Sequence, residues 1–486
     1  MATSKANPNN KRVCAACVRE EYLHAEITTI GKRDTCSYCG KRGKTITTDI
    51  LADYVDGAFE RHYYRTPSGP NDFEYMMYKE GDVDWERDGE PAQYAIANAA
   101  MMDDAIGEDV REILEDRHYD HEEAKAGGEG EFDVESQYEE RGPDDAEYQE
   151  SWWKFQTSLQ TETRLFNRSA QEALGSVFEG LDDHATRDGK KVIVEAGPKK
   201  PIAALFRARV FQSDDKLEEA IKRPDRELGP PPQRVASAGR MNARGIAIFY
   251  GAAEARVALA ETRPPVGSRV LVGRFKIIRA LRLLDLERLR SISVEGSIFD
   301  KNHLPQLQKA KFLRSLRDRL SRPVMPEDEP FDYLVTQAIA DYLASRTEPE
   351  IDGIIYGSVQ NGSGTNVALF HKAARVEALD IPDGTEISAS LYESSDEGVV
   401  PDYTVWESVP PPAPGRKKKE NDWDDDLFEP PSWRQRSARP DADERKPALR
   451  VDTSSLQVHN IERVTFKTDK LKVARHRSEK TDRDDF

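Results

Sequence analysis

No apolar run in the 486-residue chain approaches the roughly 20 residues that a membrane-spanning helix needs. The opening stretch, MATSKANPNNKRVC, has basic residues but no apolar segment behind them, which predicts a cytoplasmic rather than a secreted protein. Aromatic residues make up only 8% and hydrophobic residues 37%, against 33% charged. That balance, at this length, predicts two or three domains with unstructured parts rather than one continuous core. Positive charge is scarce where negative charge is dense. Asp103 to Glu150 hold 20 acidic and 4 basic residues, which accounts for most of the net charge of −18. Such a block repels nucleic acid and reads first as a solvated acidic face. No internal repeat is visible at periods of roughly 20 to 50 residues.

Cysteine is confined to the first 39 residues, as CAAC (Cys14, Cys17) and CSYC (Cys36, Cys39) with eighteen residues between the pairs. Two CxxC turns joined by a short hairpin can close a tetrahedral four-thiolate site on Zn2+. A disulfide pair is the alternative, disfavoured in a cytosolic chain. A closed four-sulfur set leaves no position for water, so the metal is expected to be structural.

The spacing predicts a zinc ribbon over residues 1–45 and a helical module over 46–190. Its helices are expected in TTDILADYVDGAFERHYYR, in AQYAIANAAMMDDAIGEDVREILEDRH, and from Trp152 to about Leu181 as one spine carrying Phe155, Leu159, Phe166, Ala170, Leu174 and Phe178. Short β-rich runs then alternate with helices around Leu304–Leu320 and Phe331–Arg346, predicting an α+β domain over 200–378. Further strands are expected over 379–409, a disordered Pro- and charge-rich linker over 410–450, and a hairpin over 451–478 returning to the α+β domain.

Within GRMNARGIAIFYGAAEARVALAETR, residues 239 to 263, Glu261 falls in the last turn of an Ala-rich helix that Pro264 and Pro265 stop. A carboxylate there opposes the helix dipole at about 0.3–1 kcal/mol, a mismatch expected at a functional site, although a salt bridge to Arg263 would also relieve it. Tyr250 closes a strand-like run and Arg240 lies in a loop after GPPP. Each taken singly reads as an ordinary aromatic and an ordinary solvated arginine.

Together the residues form a pattern. GRMN, a Tyr ten residues after its Arg, a Glu eleven residues after the Tyr, and IDGIIYGSVQNGSGTNVALF far downstream closely resemble the RES domain over about residues 201–376. The resemblance places Arg240, Tyr250, Glu261 and Ser358 on the family's active-site positions and implies a fold like that of the diphtheria-type ADP-ribosyltransferases. It also implies consumption of NAD by a toxin or defence effector, by degradation or by ADP-ribose transfer to a protein, with an antitoxin or regulatory protein as partner. Met241 stands where many members have Trp, and Gly357 where many have Pro.

Under that resemblance Glu261 stabilises a positively charged sugar and Arg240 holds the pyrophosphate, helped by Arg207 and Arg209, with Asn242 and Asn366 also expected to bind the cofactor. Tyr250 stacks on the nicotinamide and Ser358 bonds its amide or a phosphate. The N-terminal part resembles the HEPN-like helical region found before such domains. Many HEPN domains are RNases with an Arg and a His on one helix, as Arg111 and His118 would be here. Their place in the acidic block argues instead for a solvated pair.

Overall fold

The computed structural model describes residues 8–477 apart from 81–84, 126, 165, 323, 326, 347, 361, 363, 396–397, 412–442 and 466. The central part of the linker expected over 410–450 therefore lies outside the described residues. None of the described helices is long and apolar enough to cross a membrane. The chain is α+β and divides into two compact units, one of residues 1–193 and 286–322, the other of 194–285 and 323–486.

The first unit begins with a three-stranded antiparallel sheet, Arg12–Cys14, Lys32–Thr35 and Arg42–Thr47, with Arg42–Thr47 in the middle. Thr47 ends it and caps the next helix, Thr48–His62, its hydroxyl accepting from the N–H of Ile50. That helix buries Leu51, Val55, Ala58 and Phe59 at helical spacing against Ile96 of helix Ala92–Ala99 and Val110 and Leu114 of helix Asp104–Arg117.

The spine expected from Trp152 to Leu181 is two helices, Ala146–Thr161 and Arg168–Phe178, and Phe166 between them is 91% exposed. The break has a local cause. Asn167 is an N-cap whose side chain accepts from the N–H of Ala170, so the chain restarts there rather than continuing.

A second departure concerns residues 286–322, expected within the α+β domain. They pack with the first unit because their apolar side chains find partners there. Phe299 joins the core of helix Thr48–His62, and Phe312 of helix His303–Ser321 packs on Trp152 and Tyr148. The rings of buried His62 and His303 stack at 6.3 Å. Burial pushes both below the usual imidazole range, with Arg61 adding to the effect on His62 and Asp300 opposing it on His303. Because the unfolded chain takes up these protons first, the contribution is complete above about pH 6.5 and is lost as the pH falls through the lowered folded values. Lowering the pH from 7.5 to 5.5 is therefore expected to depress the melting temperature. Differential scanning fluorimetry should show a smaller decrease in His303→Phe, which keeps a stacked ring without the proton.

The second unit is built on an eight-stranded sheet, whose strands are numbered here in chain order. They are β1 Ile193–Ala196, β2 Ala204–Phe211, β3 Phe249–Ala252, β4 Arg269–Ile277, β5 Leu281–Asp285, β6 Gly353–Gly357, β7 Thr365–Leu369 and β8 Leu449–Asn460. The spatial order is β8-β4-β2-β3-β7-β6-β5-β1, with β5 and β6 parallel. One face of β2 carries Leu205 and Phe211 into the main core with Phe249 and Phe275. The other carries Phe206 and Ala208 against helix α1, Ala255–Glu261, through Val257 and Ala258. This alternation decides which side chains share a site.

Helix α2, Glu329–Ser345, buries Thr336, Ile339, Ala340 and Leu343. The strands expected over 379–409 form an antiparallel hairpin, Glu386–Ser395 with Gly398–Ser408. The segment expected as a hairpin over 451–478 instead supplies one long strand, β8, which pairs with β4 through a register shift between Val272 and Arg274. No strand follows Asn460 among the described residues, and the KTDK stretch makes no turn back. Pairing one strand on β4 protects that edge, whereas a return strand would have only the new edge to pair with.

Candidate active site

Helix α1 is seven residues long and ends at Glu261. Thr262 is still helical, Arg263 turns left-handed at φ 45°, and Pro264 follows, so the chain leaves the helix abruptly and the Glu261 side chain stands exposed at its end. Two donors from the sheet meet this carboxylate. Ser358, just after β6, donates from Oγ to Glu261 Oε1 at 2.5 Å, and Asn366, on β7, donates from Nδ2 to the same oxygen at 2.8 Å. Both donors are buried. Among the described residues none donates to Oε2.

The loop that carries Ser358 is pressed onto the helix at Gly364. A Cβ there would lie 2.5 Å from Val257 Cγ2, and the Gly364 carbonyl accepts from the N–H of Ser358 at 2.7 Å. Only glycine allows the approach.

The loop bearing Arg240 is fixed from inside. Asn242 is buried and bonded within the loop, Nδ2 donating to the carbonyls of Ser237, Ala243 and Ile246 while Oδ1 accepts from the Tyr250 hydroxyl at 2.7 Å. The Tyr250 hydroxyl in turn accepts from the N–H of Met241 at 3.0 Å. Burial pushes that phenol up to about 12, so it is a neutral donor at physiological pH. A Cβ on Gly239 would collide with both groups, at 2.7 and 2.8 Å. From α2, Thr336 donates to the Arg240 carbonyl, Gln337 to that of Gly239, and the Tyr333 ring lies 5.6 Å from the Arg240 guanidinium.

The expected site residues thus separate into groups. Glu261, Ser358 and Asn366 converge, with Arg240 held by its own loop. Asn242 and the Tyr250 hydroxyl shape that loop, and the donor groups of both are already engaged within it. Arg207 and Arg209 lie on the opposite face of the sheet from Phe206 and Ala208, and hence from α1 and Glu261. Arg209 is paired with Glu227 at 2.9 Å. Arg207 sits 4.9 Å over the Phe249 ring with its Nη1 buried and unpaired, and desolvation lowers it to about 10. The strand alternation in LFRARVF holds the signal for this, once Leu205 and Phe211 are known to face the main core.

The model of one protein family, the RES domain, matches residues 206–390. This part of the chain is a RES domain. A search of curated proteins and a search of solved structures each found no match.

Within the RES domain the sequence reading missed Tyr356 and Tyr333. Tyr356 lies on the same face of β6 as Asn366 on β7, its register partner. Burial holds its hydroxyl well above the ordinary range, reinforced by Tyr250 and Glu261 and opposed by Arg240. Its position two residues before Ser358, on a strand of period two, was the available signal. Met241 is buried, so it packs where many RES members place Trp.

The two expected features of the first unit differ in outcome. The Sγ atoms of Cys14, Cys17, Cys36 and Cys39 all lie within 4.8 Å of one another. Desolvation pushes the Cys14 and Cys17 thiols up, whereas at Cys36 backbone donors at Cys39, Tyr38 and Cys14 overcome the same desolvation and bring the thiol down to about 7. Arg111 and His118 are not the solvated pair expected from the acidic block, because Arg111 is taken into the interior by its partners. Arg111 is buried and bonded to Glu108, Glu115 and the Phe132 carbonyl, and His118 lies between Asp56 and Glu131.

Asn242→Ala would deprive the Ser237 and Ile246 carbonyls of their side-chain donor and the Tyr250 hydroxyl of its acceptor, at about 1–3 kcal/mol for each group left buried and unpaired. The expected result is a protein that melts earlier and an Arg240 loop more open to proteolysis, read by limited digestion and mass spectrometry.

Proposed function

We propose that this RES domain cleaves the bond between nicotinamide and ribose in NAD. The observation that carries the reading is the exposed Glu261 carboxylate, anchored through one oxygen by Ser358 and Asn366. RES membership is consistent with chemistry on NAD.

In the proposed reaction the C1′–N bond breaks and its electron pair passes to the pyridinium nitrogen, releasing neutral nicotinamide. The sugar left behind is oxocarbenium-like, and a fixed carboxylate near C1′ stabilises that charge. Ser358 and Asn366 are positioning residues that turn Oε2 of Glu261 toward the sugar. Arg240 presents a planar fork to the pyrophosphate, and Tyr250, Asn242 and Gly239 set its approach. A nucleophile then adds to C1′ and loses its proton to solvent or phosphate. Water gives ADP-ribose, phosphate gives its phosphorylated form, and a protein side chain gives an ADP-ribosylated target.

The test is nicotinamide release from NAD by the purified protein, with mass detection of the ribose-containing product. Release would establish the reaction, and the product mass would identify the nucleophile. No release would refute the reading. A neutralising partner belongs to the same proposal, because unchecked NAD loss harms the host cell. Full-length protein that is both fully active and harmless when expressed alone would remove that part.

The Cys14, Cys17, Cys36 and Cys39 set fits Zn2+, which when bound would supply structural cross-linking and no chemistry.

A further inference from the structure

The second unit contains a cavity of about 260 Å³ apart from the carboxylate site. Its walls include Met241, Ile248, Ala340 and Phe370, and its polar groups include Asp341 and His371. We propose that this cavity receives the adenine end of the dinucleotide. The inference rests on the NAD reading above and specifies which half of the substrate gives affinity and where it lies.

Three elements link the cavity to the residues of the site. Arg240 and Met241 are consecutive, so the residue assigned to the pyrophosphate adjoins a wall of the cavity. On α2, Tyr333 lies against Arg240, and Ala340 follows seven positions later, about 11 Å along the axis at 1.5 Å per residue. On β7, Asn366 donates to Glu261, and Phe370 follows four positions later, about 13 Å at 3.3 Å per residue. The cavity therefore adjoins the arginine assigned to the pyrophosphate and lies about a nucleotide's length along α2 and β7 from Tyr333 and Asn366.

The lining suits a flat aromatic base. A thioether and a phenyl ring offer polarisable contact to its faces. The Asp341 carboxyl, which desolvation pushes above the ordinary carboxylate range, offers acceptor oxygens that match the exocyclic amine of adenine.

The experiment compares kcat/KM for NAD and for nicotinamide mononucleotide, which has the same scissile bond but no adenylate. Wild-type protein is expected to favour NAD by at least about tenfold, since remote contacts of this size carry that much discrimination. Ala344→Phe, which fills the cavity from α2, should collapse the ratio toward one, and Asp341→Ala should reduce it. A wild-type ratio near one, or a ratio unmoved in Ala344→Phe, would overturn the assignment. If neither substrate releases nicotinamide, the reaction itself is refuted, and calorimetry with adenosine monophosphate then decides the cavity separately. Binding to wild type that Ala344→Phe abolishes supports a nucleotide pocket, and absence of binding to wild type overturns it.

Discussion

Glu261→Gln is expected to lower nicotinamide release from NAD by about a thousandfold, the scale on which removing a preorganised charge-stabilising group acts. The substitution preserves shape and can still accept from Ser358 and Asn366, so the melting temperature should be close to that of wild type. It removes the negative charge that the oxocarbenium-like sugar needs and leaves the pyrophosphate contacts in place, so the loss should fall on kcat far more than on KM. Ser358→Ala and Asn366→Ala retain the charge but free Oε1, and each should cost roughly tenfold. The double variant would cost less than the product of the two, because both donors serve one oxygen. Equal rates in wild type and Glu261→Gln would exclude this carboxylate from the chemistry. A fall confined to KM would make it a binding group only.

Metal removal is the second large effect. Four ligands at about 2.3 Å from a tetrahedral zinc stand about 3.8 Å apart, and the sulfur pairs Cys14–Cys17, Cys14–Cys39 and Cys17–Cys36 lie 3.7, 3.6 and 3.8 Å apart. The thiols are thus spaced as ligands without being bonded as disulfides. Elemental analysis is expected to give one zinc per chain. A chelator or Cys17→Ser should remove binding energy on the order of 10 kcal/mol, enough to abolish the cooperative melting of the ribbon.

The loss would spread along a defined route. Tyr38, between Cys36 and Cys39, donates to Asp109 at 2.6 Å, and Lys11 reaches the same carboxylate at 2.6 Å, so the ribbon ties down helix Asp104–Arg117. Tyr38→Phe, with the cysteines intact, should keep the zinc and lose only part of this coupling. Unchanged melting after complete demetallation would show that the sulfur cluster is not a structural metal site.

Where residues close in sequence settle a matter, the sequence is a sufficient guide. The CxxC pairs, the helix stop at Pro264 and the alternating runs that became β2, β3, β4, β6 and β7 all depend on neighbours within one or two turns or on strand alternation. The Arg, Tyr, Glu and Ser of the RES pattern are legible for a related reason, since their spacing is itself the family's signature. The partnership of Glu261 with Asn366 is a different matter. It spans 105 positions and exists because β7 pairs with β3 while Gly364 packs closely on Val257 of α1.

The same distinction explains the corrections. Arg207 and Arg209 could be assigned to the site only without knowledge of which face of β2 meets α1. Asn242 looked available until its three carbonyl partners were in place. The affiliation of residues 286–322 was decided by Phe299 and Phe312, whose partners lie far away in sequence. Sequence alone determined the alternating strands of the sheet, the four-sulfur set and the presence of the RES pattern, because these need only short-range sterics and spacing. Tertiary structure decided which polar groups meet, which are already satisfied and which sheet face holds the site, because hydrogen-bond capacity and burial are properties of the packed chain.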